Sequence, residues 1–319
     1  MTEARSDAPL VDVRGLEKTF PNGTRALQDI TLEINRPGIF GIVGPDGAGK
    51  TTLLRALVGI LEFRAERLAV LGHVLPRDAQ ALKAEVGYVP QIWGLYPDLS
   101  VKENLQFFAA IRRIPENEFN ERKRVLLKAT DLTLFEDRLA GQLSGGMKQK
   151  LAISCTLLHR PRLLILDEPN NGVDVSARHE IWDLISRDAE HSVIISTNYV
   201  EEAAMCDELI YLIQGRVVAR GTPDAILQDH AAEIHQYRLH GQNLAPLAAA
   251  LASESWLVSA QFLGNAVEIE TGGNMPIDEI ERRVRAHPHG GSRVILVEPR
   301  RPDMSSAIRA LTREALNHE

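Results

Sequence analysis

The chain lacks several features that would settle its class at once. It has only two cysteines in 319 residues, Cys155 and Cys206. Two thiols cannot build the disulfide framework of a small secreted domain, so they read as buried or free thiols in a reducing compartment. No run approaches the ~18 apolar residues that a membrane-spanning helix needs. Positive charge is not in excess: 36 Lys and Arg against 43 Asp and Glu leave a net charge of -7, which argues against a nucleic-acid binder working through bulk electrostatics. The first residues, Met1–Pro9, are polar and lack the apolar core of a signal peptide. No internal repeat or low-complexity tract stands out. What remains is a globular composition in a chain long enough for one large and one small domain.

Hydrophobic patterning and turn residues supply the elements. Val11–Phe20 and Ile30–Ile34 read as strands around the turn Pro21-Asn22-Gly23. Ile39–Val43 is a short apolar strand running into a glycine-rich loop, with a helix over Thr51–Ile60 behind it. Val86–Pro90 reads as another strand. Residues 100–140 are mostly helical, opened by Ser100 and Glu103 at the spacing of a capping box, with Leu105, Phe108 and Ala109 on one face. A helix over Gly146–His159 stops before Pro161. Leu163–Leu166 and Val193–Ser196 are apolar on both faces, as a parallel sheet demands. Leu209–Ile213 and Arg216–Ala219 form a hairpin about Gln214-Gly215.

The character changes near Gln228. Strands over Ile234–Leu239, Leu257–Phe262, Ala266–Glu270 and Arg293–Val297 alternate with helices in the order strand, helix, two strands, helix, strand, helix. That order predicts a small α+β domain with a ferredoxin-like arrangement as the candidate. The expected division is 1–228 for the large α/β domain, with a helical subdomain at about 100–140, and 229–319 for the small one. His230, His235, His240, His287 and His289 lack a third ligand at zinc spacing and read as solvated.

The loop between Val43 and Thr51 carries the first chemistry. A polyphosphate needs many donors, and Gly44, Gly47 and Gly49 let backbone N–H groups of Gly44-Pro45-Asp46-Gly47-Ala48-Gly49-Lys50-Thr51-Thr52 wrap it. The positive end of the following helix adds to the cradle. Lys50 reaches the β- and γ-phosphates as a point charge, and the Thr51 hydroxyl is placed for Mg²⁺. Asp167 ends the apolar strand Leu163–Leu166, where it can hold Mg²⁺ through water, and Glu168 follows it. This much specifies ATP or GTP and no more.

A third stretch narrows the reading. Leu143-Ser144-Gly145-Gly146-Met147-Lys148-Gln149 lies between the phosphate loop and Leu163-Leu-Ile-Leu-Asp167-Glu168-Pro169. In that order and at these distances, residues 10–225 resemble the nucleotide-binding domain of ATP-binding cassette (ABC) transporters. The resemblance implies a phosphate-loop α/β fold that takes ATP and Mg²⁺. It makes Glu168 the general base or water-polarising carboxylate. Gln91, about forty residues after Lys50, matches the glutamine loop that touches Mg²⁺ and the attacking water and abuts a membrane partner. Ser144, Gly145 and Gly146 open a helix and form a second anion site, which in this family faces the γ-phosphate of another subunit. Two cassettes then sandwich two nucleotides about a two-fold or pseudo-two-fold axis. Asp174 matches the loop crossing that interface. Phe20, about 24 residues before Gly44, is the candidate adenine platform, with a strand-end core residue as the competing reading.

Three positions depart from the family pattern. Where it carries a histidine that contacts the γ-phosphate, this chain has Asn198, in Ser196-Thr197-Asn198-Tyr199. An amide can donate one hydrogen bond but cannot carry charge or shuttle a proton as imidazole does. Either the chain's own site is slow and it works beside a histidine-bearing paralogue, or Asn198 is tolerated in a homodimer. Asp46 stands where asparagine is usual; because the loop works through its backbone, little loss is expected. Glu62–Glu66 replaces a Pro/Gly turn and is expected to alter only a local loop.

The resemblance thus implies an ATPase subunit, peripheral on the cytoplasmic face of a membrane, with a separate permease subunit, a second nucleotide-binding domain and no nucleic acid. Gly94–Leu105, Asn171–Asp174 and the C-terminal extension, including Pro302–Leu311, resemble bacterial exporter cassettes for drugs, lipids or polysaccharides. Two other readings stay open. One is a non-transport cassette ATPase acting on ribosomes or DNA. The other is a nucleotide-sensing cassette whose hydrolytic site is degenerate.

Overall fold

Alternating burial along Arg25–Ile34 and continuous burial along Leu163–Asp167 and Ser192–Thr197 correspond to two kinds of sheet. In the computed structural model, which describes residues 9–186, 191–231, 234–286 and 292–317, these sheets belong to the first of two compact units, residues 1–220 and 221–319.

The first unit begins with β1 (Val11–Thr19), β2 (Arg25–Ile34), β3 (Ile39–Val43), α1 (Lys50–Leu57), β4 (Arg67–Val70) and β5 (His73–Val74). It continues with α2 (Ala79–Glu85), β6 (Val86–Val89), α3 (Val101–Ile111), α4 (Glu116–Ala129), α5 (Gly145–Leu157) and β7 (Leu163–Asp167). It ends with α6 (Val175–Ser186), β8 (Ser192–Thr197), α7 (Val200–Ala203), β9 (Glu208–Ile213) and β10 (Arg216–Gly221). An antiparallel sheet runs β2-β1-β4-β5, and a mostly parallel one runs β10-β9-β3-β8-β7-β6. Between them Val11, Leu16 and Ile30 pack with Leu53 and Leu54 of α1 and with Phe40, Ile165 and Ile194 of the parallel strands.

Residues 101–157 make a second core, in which Val101, Leu105, Phe119, Leu127, Leu151 and Cys155 are buried together. The capping box forms as its spacing predicts: Ser100 Oγ accepts from Glu103 N at 3.3 Å, and Ser100 N donates to Glu103 Oε2 at 2.7 Å. The sequence reading placed no element over residues 67–85, where β4, β5 and α2 form. Strands of four and two residues are too short to show a period. The loop at Glu62–Glu66 is pinned to β1 by paired hydrogen bonds between Glu17 and Arg64. Boundaries shift by one to five residues: α1 starts at Lys50 and α5 at Gly145, because Gly49 and Ser144 occupy their N-cap positions, while α1 ends at Leu57 rather than Ile60 and β2 begins at Arg25 rather than Ile30.

The second unit comprises α8 (Pro223–Ala231), β11 (His235–Gln242), α9 (Ala245–Leu251), β12 (Ser259–Phe262), β13 (Ala266–Thr271), α10 (Ile277–Ala286), β14 (Arg293–Arg300) and α11 (Met304–Asn317). Its antiparallel sheet has the order β12-β13-β11-β14, the ferredoxin-like arrangement. Tyr237, Leu239, Ile269 and Val297 face Leu247, Leu251, Ile280 and Val284 of α9 and α10. The division falls at Arg220/Gly221, ahead of the expected 228/229, because α8 packs with α11 and so joins the second unit. His287 and His289 lie outside the described residues.

Candidate nucleotide site

Parallel register assembles the site. Val43 pairs with Thr197 on β8, and Asp167 of β7 pairs with Ser196. Three strands therefore end side by side, and residues 44–50, 168 and 198 leave their carboxyl ends together, where open α/β sheets bind ligands.

The loop after β3 needs its glycines for space and for backbone angle. A Cβ on Gly44 would lie 2.1 Å from the Leu212 carbonyl oxygen, and Gly49 combines φ +104° with 2.4 Å to the Ala26 oxygen. Gly44 to Thr52 thus curl into the start of α1, whose first N–H groups are open to an anion. The Lys50 ammonium folds back into this loop. It donates to Gly44 O at 2.8 Å, to Pro45 O at 3.2 Å and to Asn198 Oδ1, and lies 3.2 Å from Glu168 Oε1. Its side chain is only 4% exposed, so protein oxygens take the place of water around the charge.

Asp167 is held on both oxygens. Thr51 Oγ1 and Ser196 Oγ each donate to Oδ1 at 2.9 Å, and Tyr88 OH donates to Oδ2 at 3.2 Å. Burial, followed by the adjacent Asp167 charge, pushes the Tyr88 hydroxyl up to about 12, so it remains a donor throughout the working pH range. Glu168 has φ +48°, an uncommon conformation for a side chain of this size. Its N–H is pinned to Ser196 Oγ at 2.9 Å and Ser196 O at 3.2 Å, which offsets the strain and turns its carboxylate toward the loop. That carboxylate accepts from Gln91 Nε2 at 3.0 Å and from Asn171 Nδ2 at 3.4 Å.

The structure therefore brings Lys50, Thr51, Asp167, Glu168, Gln91 and Asn198 together, with Gln91 placed on Glu168 rather than on the Thr51–Asp167 pair. Asp46 joins them: Asn198 Nδ2 donates to its Oδ1 at 2.7 Å. Ser144, Gly145 and Gly146 lie elsewhere in the unit, against the Asp174 loop. A Cβ on Gly146 would sit 2.6 Å from Ala177 Cβ, and one on Gly145 would sit 3.2 Å from Gly172 O. Ser144 Oγ accepts from Met147 N at 3.3 Å, and Asp174 Oδ1 accepts from Ala177 N at 3.0 Å, so each caps its own helix. Phe20 is half-buried at the end of β1, with the Lys18 ammonium 5.2 Å from its ring centre.

Sequence reasoning missed Ser196, Tyr88 and Asn170. Ser196 was legible only as a polar residue closing an apolar strand. Asn170 Nδ2 donates to Glu202 Oε1 at 2.8 Å and so ties the segment after Glu168 to α7. Burial raises the Glu202 carboxyl above its ordinary value.

A glycine-rich loop with a buried lysine, set beside two carboxylates at the ends of parallel strands, defines a phosphate-loop nucleotide-binding cassette. The comparisons agree. A family model described as "ABC transporter" matches residues 27–171. The probable multidrug ABC transporter ATP-binding protein YbhF of Escherichia coli K12 is 40% identical over 225 residues, which is 70% of this chain and 39% of that protein. The chain thus matches well under half the length of that relative. Nod factor export ATP-binding protein I of Ralstonia nicotianae is 34% identical over 247 residues, 76% of each chain. A solved ATP-binding subunit of an ABC transporter superposes with a TM-score of 0.63 at 29% identity, covering 69% of this chain and 92% of its own. The chain belongs to the ABC transporter family of ATP-binding proteins.

Proposed function

We propose that this chain binds and hydrolyses ATP to power export through a separate membrane permease, acting beside a second nucleotide-binding domain at the cytoplasmic face of a membrane. The observation that carries the reading is the 3.2 Å approach of Lys50 Nζ to Glu168 Oε1 inside the glycine cradle. This contact supports reading Lys50 as the cation that takes up phosphate and Glu168 as the carboxylate that activates water.

The chemistry follows from exchange of partners. An arriving triphosphate competes for the Lys50 ammonium and draws it from Glu168 and Asn198. Glu168, kept in place by Gln91 and by its pinned backbone, is then free to take a proton from water attacking the γ-phosphorus. The bond to the bridging oxygen breaks, giving ADP and phosphate. The Thr51 hydroxyl and the Asp167 carboxylate fit Mg²⁺, because both are hard oxygen donors meeting at 2.9 Å. Among the described residues no cluster of three or more His, Cys, Asp or Glu could hold a metal alone, so phosphate and water would complete the set. When bound, the ion neutralises charge on the β- and γ-oxygens.

Export rests on the relatives, which are described as a probable multidrug ABC transporter ATP-binding protein and a Nod factor export ATP-binding protein. A separate permease is invoked because the relatives are described as ATP-binding proteins of transport systems; no helix of the described residues is long and apolar enough to cross a membrane. Ile92 and Tyr96, exposed beside Gln91, support docking of its cytoplasmic segments there. The Ser144–Gly146 turn, set against the Asp174 loop, is read as the half-site offered to the second cassette. The Asp46–Asn198 contact favours one competing reading, a nucleotide sensor with little turnover.

Steady-state phosphate release by the purified chain, with Glu168→Gln in parallel, separates these. Release that disappears in the variant supports the ATPase. ATP binding without release, even with a histidine-bearing partner cassette and permease present, supports the sensor. Co-purification with ribosomes and not with membranes would replace transport with a non-transport role.

A further inference from the structure

Two of the residues that depart from the resembled pattern are hydrogen-bonded to each other, though 152 positions apart. The Asn198 carboxamide lies between an obligate donor and an obligate acceptor. Lys50 Nζ donates to its Oδ1, and its Nδ2 donates to Asp46 Oδ1 at 2.7 Å. An ammonium has no lone pair and a carboxylate has no proton, so this amide has one satisfied orientation. Turned over, it would set its N–H group against an ammonium and its oxygen against a carboxylate.

We propose that Asp46 is a positioning residue that fixes the Asn198 amide with its acceptor oxygen toward Lys50, the orientation opposed to a γ-phosphate. This deepens the ATPase reading and rests on it. To donate to a phosphate oxygen at the Lys50 position, Asn198 must release Asp46 and rotate, and the Asp46 carboxylate resists the rotated form. An amide at position 46 can donate to the rotated oxygen, so Asp46→Asn frees the switch at almost constant volume. Both side chains reach solvent, which limits the effect to that of one ordinary hydrogen bond. Asp46 also places a negative charge near the phosphates. That charge acts on ATP affinity whether or not Asn198 is present, whereas the orientation acts only through Asn198.

Four full-length proteins separate the two: wild type, Asp46→Asn, Asn198→Ala and the double variant, each assayed for kcat and KM with Glu168→Gln as the blank. The expected result is a kcat raised about threefold to tenfold by Asp46→Asn in the wild-type background and unchanged by it in the Asn198→Ala background. A fall in KM in both backgrounds is the plain charge effect. Equal kcat ratios in the two backgrounds, or no kcat change in either, overturn the proposal. If the wild type binds ATP but shows no Glu168-dependent release, the ATPase reading has failed. The same four proteins are then compared by affinity for a fluorescent ATP analogue. Tightening by Asp46→Asn that is larger with Asn198 present sustains the positioning role, and equal tightening overturns it. Absence of ATP binding overturns both.

Discussion

Asn198 shows how one side chain sets what a shared scaffold can do. It accepts from Lys50, which also pairs with Glu168, and in the proposed function it faces the γ-phosphate, but an amide cannot supply the positive charge of an imidazolium. Asn198→His is expected to raise turnover about tenfold or more, since one transition-state contact is commonly worth that much. Unchanged phosphate release would show that the amide is sufficient. At Phe20 the ring is half-buried and faces the Lys18 ammonium, so it is available as a stacking surface. Phe20→Ala is expected to weaken ATP affinity by about 1–3 kcal/mol, with Phe20→Trp close to wild type, in equilibrium nucleotide titrations. A loss of stability without a loss of affinity would assign Phe20 to the core. The places of Lys50, Thr51 and Asp167 in one cluster were legible from residue type and local order, and the role proposed for Glu168 follows from the family resemblance. Those of Ser196 and Tyr88 were not, because neither lies in a motif and both reach Asp167 only across neighbouring strands.

At the scale of elements, strand–loop–helix at β3–α1 and the capped start of α3 were legible because their determinants sit within a few residues of each other. The join of α11 to its sheet was not. Glu270 on β13 is 1% exposed and accepts from Ser306 Oγ and Ser259 Oγ, each at 2.7 Å, and from Arg309. Burial works to raise its carboxyl, but Arg309 and the two hydroxyls more than offset this and hold it below the ordinary range. A carboxyl so lowered contributes stability above its unfolded value, and that contribution is lost as pH falls through the lowered folded value. Arg309→Leu leaves a buried carboxylate without its cation. The expected cost is about 2 kcal/mol at pH 7, less than for a fully buried pair because Arg309 is partly exposed. The deficit should shrink in acid below the ordinary carboxylate range, as pH falls through the lowered folded value and the carboxyl loses its charge. Denaturant unfolding of the full chain at pH 7 and in that acid range checks this, and a pH-independent deficit would assign the loss to packing by Arg309.

At the scale of the whole molecule, the proposed function makes the site half of a pair. Ser144 heads a helix whose first turn holds no acidic residue, and within its own unit it lies against the Asp174 loop rather than the phosphate loop. Ser144→Arg is expected to leave ATP affinity of the single chain within about twofold, since it is remote from the cradle. It should abolish ATP-dependent dimerisation, measured by size exclusion on the Glu168→Gln background. Dimers that persist would remove Ser144 from the interface.

The sequence by itself determined the phosphate loop, the carboxylate pair, the glycine turn that opens the helix at Ser144 and the order of elements in the C-terminal unit. These depend on backbone freedom, charge and periodicity within a few consecutive residues. Only the tertiary structure decided that Asp46, Lys50, Gln91, Glu168 and Asn198 form one network. That network depends on the parallel register of β3, β8 and β7, in which Val43 meets Thr197 and Asp167 meets Ser196. Register across pairs 154 and 29 residues apart is set by burial of both sheet faces, a property of the packed molecule and of no local stretch.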